Sequence, residues 1–300
     1  MGSTRQCSLR FVAPLFARGD TRVELYRSDN TGQLLAVKVF NVEACRRREV
    51  GVYGPGGGVL RNGIFALNRE LSILSKVQGR GTALPYGPLT VKVWAGEVRL
   101  TSPYYGPPLQ CLCASTFAPL YQPGPAYLNI LRQLLEGVEY LHSMGIVHKD
   151  LSPVNICLSH YPSTVFSPCH HPVAVSSRRS RARTSAPRLT IIDYSLSEEG
   201  MEVYDSHGSP YFSPPEVFDR PPCAGGARDI WSVGAVALCM LQGWLGWWVG
   251  TGLDYEMRLL SMGEVQVPEG AHAPLLRSML SLEPSKRPTA SEALNMLSRF

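Results

Sequence analysis

The chain has 300 residues, 44 % apolar and 18 % charged, with a formal net charge of +5. That length suits one large domain or two small ones, and no run of about 18 apolar residues marks a membrane span. The positive excess is local: Arg178, Arg179, Arg181, Arg183 and Arg188 stand between Ile156 and Ile192 without any Asp, Glu or Lys, so a general nucleic-acid-binding surface is not indicated.

At the N-terminus no long apolar stretch predicts a secretory signal, and Gln6 occupies the Ser/Thr position of a myristoylation start. The eight cysteines then read as reduced thiols of a cytoplasmic or nuclear protein. Cys111-Leu112-Cys113 and Cys169-His170-His171 look like metal fragments but have no second pair at zinc-finger spacing; the Cys-x-Cys reads as two strand residues facing one side.

Residues 22 to 40 predict two strands about the turn Ser28-Asp29-Asn30-Thr31-Gly32. Gly51 to Gly63 is too glycine-rich for helix or strand. Leu67, Leu71 and Leu74 then recur at helical spacing, with Glu70 beside their stripe. Two further strands are expected over 89 to 101 around Ala95-Gly96, followed by a stiff connection from Pro103 to Pro108. Leu128, Leu131, Leu135, Val138 and Leu141 predict a helix over Tyr127 to His142. Another is expected from about Asp229 to Gln242, stopped by Gly243, and a last one over Ala290 to Phe300. Pro162 to Pro187, rich in Ser, Arg, Pro and His, cannot bury a core and reads as a surface loop. Strands first and helices later indicate an α+β, two-lobed molecule. There are no internal repeats.

Chemistry concentrates in an ordered set of short motifs. His148-Lys149-Asp150-Leu151-Ser152-Pro153-Val154-Asn155 comes first, then Ile191-Ile192-Asp193-Tyr194-Ser195, then Ser213-Pro214-Pro215-Glu216. Ahead of them Ala36-Val37-Lys38-Val39-Phe40 puts a lysine between apolar neighbours, and a buried ammonium needs a carboxylate, for which Glu70 is the obvious partner. Behind them stand Asp229-Ile230-Trp231-Ser232-Val233-Gly234 and Pro284-Ser285-Lys286-Arg287-Pro288.

From Val12 to Phe300 this set resembles the eukaryotic protein kinases. The resemblance implies a bilobal fold: a β-rich N-lobe over about residues 12–102 with one key helix, a hinge over 102–106, and a larger, mainly helical C-lobe over 107–300. The basic insertion spans about 160–188. It implies ATP and Mg²⁺ as cofactors. Lys38 would hold phosphates, Glu70 would orient Lys38, and Asp150 would take the substrate hydroxyl proton. Asn155 and Asp193 would bind the metal through hard oxygens, and Val23, Ala36, Ser102 and Tyr104 would line the nucleotide site. Glu216 would pair with Arg287, Asp229 would tie down the catalytic loop, and His148, Tyr194 and Leu74 would pack beneath the site. Ser209-Pro210 and Ser152-Pro153 look like the serine/threonine branch, and Thr101 to Gly106 is similar to the hinge of herpesvirus kinases. Protein substrates and nucleotide are the expected partners, with no specific nucleic acid and no membrane, for a monomer.

Several positions depart from the family pattern. Phe16, Arg18 and Thr21 fall where three loop glycines belong; Arg18 would replace some of their attraction for phosphate with charge. The run Gly54-Pro55-Gly56-Gly57-Gly58 lies after the lysine strand, in the wrong place to cover a nucleotide. Ser152 stands at the catalytic-loop lysine, where a missing cation removes transition-state stabilisation, and Lys149 occupies the arginine position that meets an activation-loop phosphate. Glu198, Glu199, Glu202 and Asp205 are expected to imitate that phosphate. The basic insertion reads either as a solvated loop or as an import or docking signal, and Trp244, Trp247 and Trp248 as core. Two functions remain open: phosphoryl transfer to serine or threonine of proteins, or a pseudokinase scaffold that binds nucleotide or a partner with little transfer.

Overall fold

The computed structural model describes residues 8–18, 21–42, 63–113, 124–159, 187–204, 207–219, 223–247 and 265–300. Its N-terminal part is a five-stranded antiparallel sheet in the order β1-β2-β3-β5-β4. The strands are β1 (Leu9–Arg18), β2 (Thr21–Ser28), β3 (Leu34–Asn41), β4 (Thr90–Trp94) and β5 (Glu97–Pro103). The β2–β3 turn falls where expected: Gly32 takes φ +69° and returns its N–H to Ser28 O at 2.8 Å. Ala95 and Gly96 both have positive φ, the pairing that a two-residue hairpin needs to match strand twist. Helix α1 (Gly63–Val77) packs against β3, burying Leu67, Glu70, Ile73, Leu74 and Val77.

The C-terminal part is mostly helical, so the α+β, bilobal expectation holds. It contains α2 (Gln110–Cys113), α3 (Pro125–Ser143), α4 (Glu216–Asp219), α5 (Gly225–Trp247), α6 (Ala273–Met279) and α7 (Ala290–Leu297). Short strand pairs lie between: β6 (Ile146–Val147) with β9 (Glu198–Glu199), β7 (Ile156–Ser159) with β8 (Arg188–Ile191), and β10 (Glu202–Val203) with β11 (Cys223–Ala224). Helix α3 buries Leu131, Leu135, Val138 and Leu141 as its spacing predicts. Helix α7 starts on a capping box, Thr289 with Glu292, directly after Pro288. One apolar core runs from Leu74 and Leu100 in the sheet part through α3 to Trp231 and Val236 on α5.

Two expectations are corrected. Helix α5 starts at Gly225 and runs through Gly243 to Trp247 instead of stopping there. A glycine costs a helix only about 1 kcal/mol, and so close a junction needs one at the start: a Cβ on Gly225 would lie 2.6 Å from Val147 Cγ2. Cys111 sits on the helical turn α2, buried, rather than on a strand. Cys169-His170-His171, Gly51 to Gly58, Asp205, Trp248, the side chains of Trp244 and Trp247, and residues 160–186 of the insertion lie outside the described residues. Among the described residues no helix is long and apolar enough to cross a membrane.

The two parts meet where β5 leads into residues 104–109. Gly106 has φ +100°, and a Cβ there would fall 2.1 Å from Leu158 O on β7, so main chain lies directly on main chain. A second seam forms where Ile191 N donates to Ala83 O at 2.8 Å.

Candidate active site

Between the two parts lies a cleft of about 320 Å³. Strand β3 delivers Lys38 to it because register places Lys38 opposite Val23 and Leu100, while its neighbours Val37 and Val39 are buried. The Lys38 ammonium stands 2.7 Å from Glu70 Oε2 on α1 and 2.7 Å from Asp193 Oδ1. Burial acts to lower the affinity of this ammonium for its proton, but the carboxylates of Asp193 and Glu70 outweigh it and hold the group charged. Burial pushes the Glu70 carboxyl up to about 6 against the pull of Lys38. Asp193 is subject to the same desolvation, yet Lys38 brings it down to about 2. The amphipathic spacing of α1 was the signal for the Lys38–Glu70 pair; Asp193 as the third member needed the fold.

Residues 148–155 form a loop whose shape is imposed from below. The buried Asp229 carboxylate on α5 accepts from the N–H groups of His148 (2.8 Å) and Lys149 (2.9 Å) and meets His142 Nε2 at 3.0 Å. Desolvation opposes ionisation of Asp229, and its hydrogen bond with His142 helps to hold it below the usual range. This grip holds Lys149 at φ +71°, a conformation that a non-glycine residue adopts only under constraint. His148 also reaches Ile192 O at 3.2 Å and stacks edge-on against Tyr194 at 5.1 Å, beneath the cleft as expected.

On the upper side of the loop Asn155 Nδ2 donates both to Asp150 O and to Asp150 Oδ2, each at 2.9 Å. The Ser209 N–H donates to Asp150 Oδ1 at 2.7 Å. Burial nevertheless raises the Asp150 carboxyl, with Asp193 adding repulsion. Because both donor bonds of Asn155 go to Asp150, its carbonyl oxygen is the atom left to face a cation. Two hard oxygen donors, from Asn155 and Asp193, fit Mg²⁺, which keeps several waters and shares phosphate oxygens. Among the described residues no cluster of three or more His, Cys, Asp or Glu converges as an all-protein cage.

The expected wall residues Val23, Ala36, Ser102 and Tyr104 line the cleft with Lys38, Glu70, Asn155 and Asp193. Asp150 and Ser152 are outside that lining. Ser152 is buried, and its Oγ finds no hydrogen-bond partner among the described residues. Arg18 closes β1 opposite Thr21, and its side chain lies outside the described residues. The reading of the sequence missed three features. Leu15 and Phe16 roof the cavity; Phe16, assigned only as a lost glycine, faces a site that its spacing from Lys38 had already located. Cys157 forms part of the floor, its thiol pushed up to about 12 by burial. Ser209 was recognised as a branch marker without its bond to Asp150.

Further out, Arg287 grips both carboxylate oxygens of Glu216, Nη2 to Oε2 at 2.8 Å, while its guanidinium lies over the Trp231 ring at 4.9 Å. Gly208 has no room for a side chain: a Cβ would lie 2.7 Å from both Arg228 Nη2 and Lys149 O.

Residues 124–297 match the family model described as the protein kinase domain. The chain is 25 % identical over 280 residues to the serine/threonine-protein kinase GIN4 of Saccharomyces cerevisiae, covering 89 % of this chain and 22 % of that protein. It is 30 % identical over 177 residues to calcium-dependent protein kinase 4 of Arabidopsis thaliana (55 % and 30 %). With the serine/threonine-protein kinase STK11 of Mus musculus it shares 33 % over 166 residues (52 % and 32 %). The chain thus spans between about a fifth and a third of the length of these relatives. The family match begins beyond Lys38 and Glu70, so their pairing with Asp193 is independent support for the likeness.

Proposed function

The chain belongs to the protein kinase domain family, and from that premise we propose that it transfers the γ-phosphoryl group of ATP to serine or threonine hydroxyls of proteins with Mg²⁺. The observation that carries the reading is Lys38 held 2.7 Å from both Glu70 and Asp193, with Asp150 and Asn155 joined to each other. In this reading Lys38 holds phosphate oxygens and Glu70 keeps it aimed. Asn155 and Asp193 hold the metal, whose chemistry when bound is to neutralise phosphate charge. Asp150, oriented by Asn155 and by the Ser209 N–H, accepts or orients the hydroxyl proton. Its raised proton affinity suits a base facing a hydroxyl better than a metal ligand.

A second reading, a nucleotide- or partner-binding scaffold with little transfer, is favoured by Ser152. No cation stands at that position, and the buried hydroxyl replacing it does not line the cleft. Radiolabel transfer from ATP to a generic basic protein substrate separates the two. The enzyme reading requires signal from the wild type that Asp150→Ala and Lys38→Met abolish. Equal residual signal in all three leaves the scaffold.

A further inference from the structure

Four acids follow Asp193, and the structure separates them. Glu199 pairs with Lys76 at the surface, Glu202 bonds the exposed Tyr204 hydroxyl, and Asp205 is outside the described residues. Glu198 turns inward. Its Oε1 lies 3.1 Å from Lys149 Nζ and 3.0 Å from Arg69 Nη1. The Lys149 side chain has no solvent exposure, and those of Arg69 and Glu198 have 17 % each.

Each partner is fixed by something else. Lys149 is anchored by Asp229 at its N–H and by Arg228 Nη2 at its carbonyl (3.1 Å). Glu198 is strand-paired with Val147, just before the catalytic loop. Arg69 precedes Glu70 on α1, and successive helical residues point about 100° apart. Holding Arg69 against Glu198 therefore fixes the rotation of α1 that turns Glu70 toward Lys38.

We propose that Glu198 is a positioning residue: by bridging Lys149 and Arg69 it locks α1 against the catalytic loop. The carboxylate encoded in the chain does this work, so the segment from Asp193 to Glu216 needs no added phosphate. The functional consequence rests on the phosphoryl-transfer reading above; the mechanical lock does not.

Hydrogen–deuterium exchange on the full chain tests the lock directly. Glu198→Gln removes the shared charge. Arg69→Met breaks only the α1 side and leaves the buried Lys149 with its carboxylate, so a folding failure in the first variant does not hide the answer. Both are expected to speed exchange of the amides of residues 63–77 by roughly tenfold or more, while Glu199→Gln, which loses only the exposed pair with Lys76 at the end of α1, changes it by less than about threefold. Both should also lower kcat roughly tenfold with nucleotide Kd changed less than about threefold, and Glu198→Asp should recover part of the loss. Phosphatase-treated wild type should keep its turnover. Unchanged exchange over 63–77 in Arg69→Met and in folded Glu198→Gln overturns the lock, and turnover lost on phosphatase treatment overturns the claim that no phosphate is needed. If the wild type transfers no phosphoryl group, that failure falls on the reading of function, and the exchange result still decides the lock.

Discussion

Above the cleft, the β1–β2 hairpin presents Leu15 and Phe16, and Phe16 is still 55 % exposed. Below it, His148, Lys149 and Asn155 are buried, and their polar groups are tied to Asp229, Ile192, Glu198 and Asp150. The roof is apolar contact that rotamers can adjust, whereas the floor is a hydrogen-bonded frame in which the polar groups of His148, Lys149 and Asn155 have assigned partners. Substitutions therefore weigh differently in the two. A change in the frame strands a buried polar group, costing about 1–3 kcal/mol each, while a change in the roof trades one partly wet surface for another.

The sharpest way to break this contrast is Asp150→Asn. We expect kcat to fall about 10²–10⁴-fold with nucleotide affinity held within about twofold, read by steady-state kinetics and equilibrium binding. Asp229→Ala comes next, because it removes the acceptor of two buried N–H groups. Urea unfolding should show a loss of about 2–4 kcal/mol, with any remaining activity reduced in kcat. If instead Asp229→Ala unfolds like the wild type, the loop holds its shape without the frame.

Acid should act through the same frame. As pH falls through about 6, Glu70 takes up a proton and its charge no longer faces Lys38. The expected result is a kcat/KM profile that drops on its acid side near pH 6, with that limb missing from the weak residual activity of Glu70→Gln. The smallest effect belongs to the roof. Phe16→Gly should shift the KM for ATP by less than about fivefold and stability by no more than about 1 kcal/mol. A hundredfold loss there would show that the hairpin tolerates change no better than the loop does.

The same contrast explains what could be read before the fold was known. The floor was legible because its side chains come in short, ordered runs: His148 to Asn155, Asp193, Glu216, Asp229 and Arg287 each sit in a local pattern. Their expected pairings, Asp229 to the loop and Arg287 to Glu216, are present. The roof was harder, because spacing from Lys38 located Phe16 but not what an aromatic ring does in a glycine's place. Gly243 misled because a local stop signal lost to the packing of a long buried helix. Glu198 was one of four similar acids, and only β9 pairing with β6 shows which one turns inward. Cys157 was invisible because nothing in Ile156-Cys157-Leu158 says which of three buried side chains meets the cavity.

The missing side chain at Gly106 has one more consequence. Where an added Cβ would strike the Leu158 carbonyl, no rotamer can yield, so this join between the two parts is held by the polypeptide itself. Any give in the cavity wall must come from side chains that solvent already reaches, such as Phe16 and Val154.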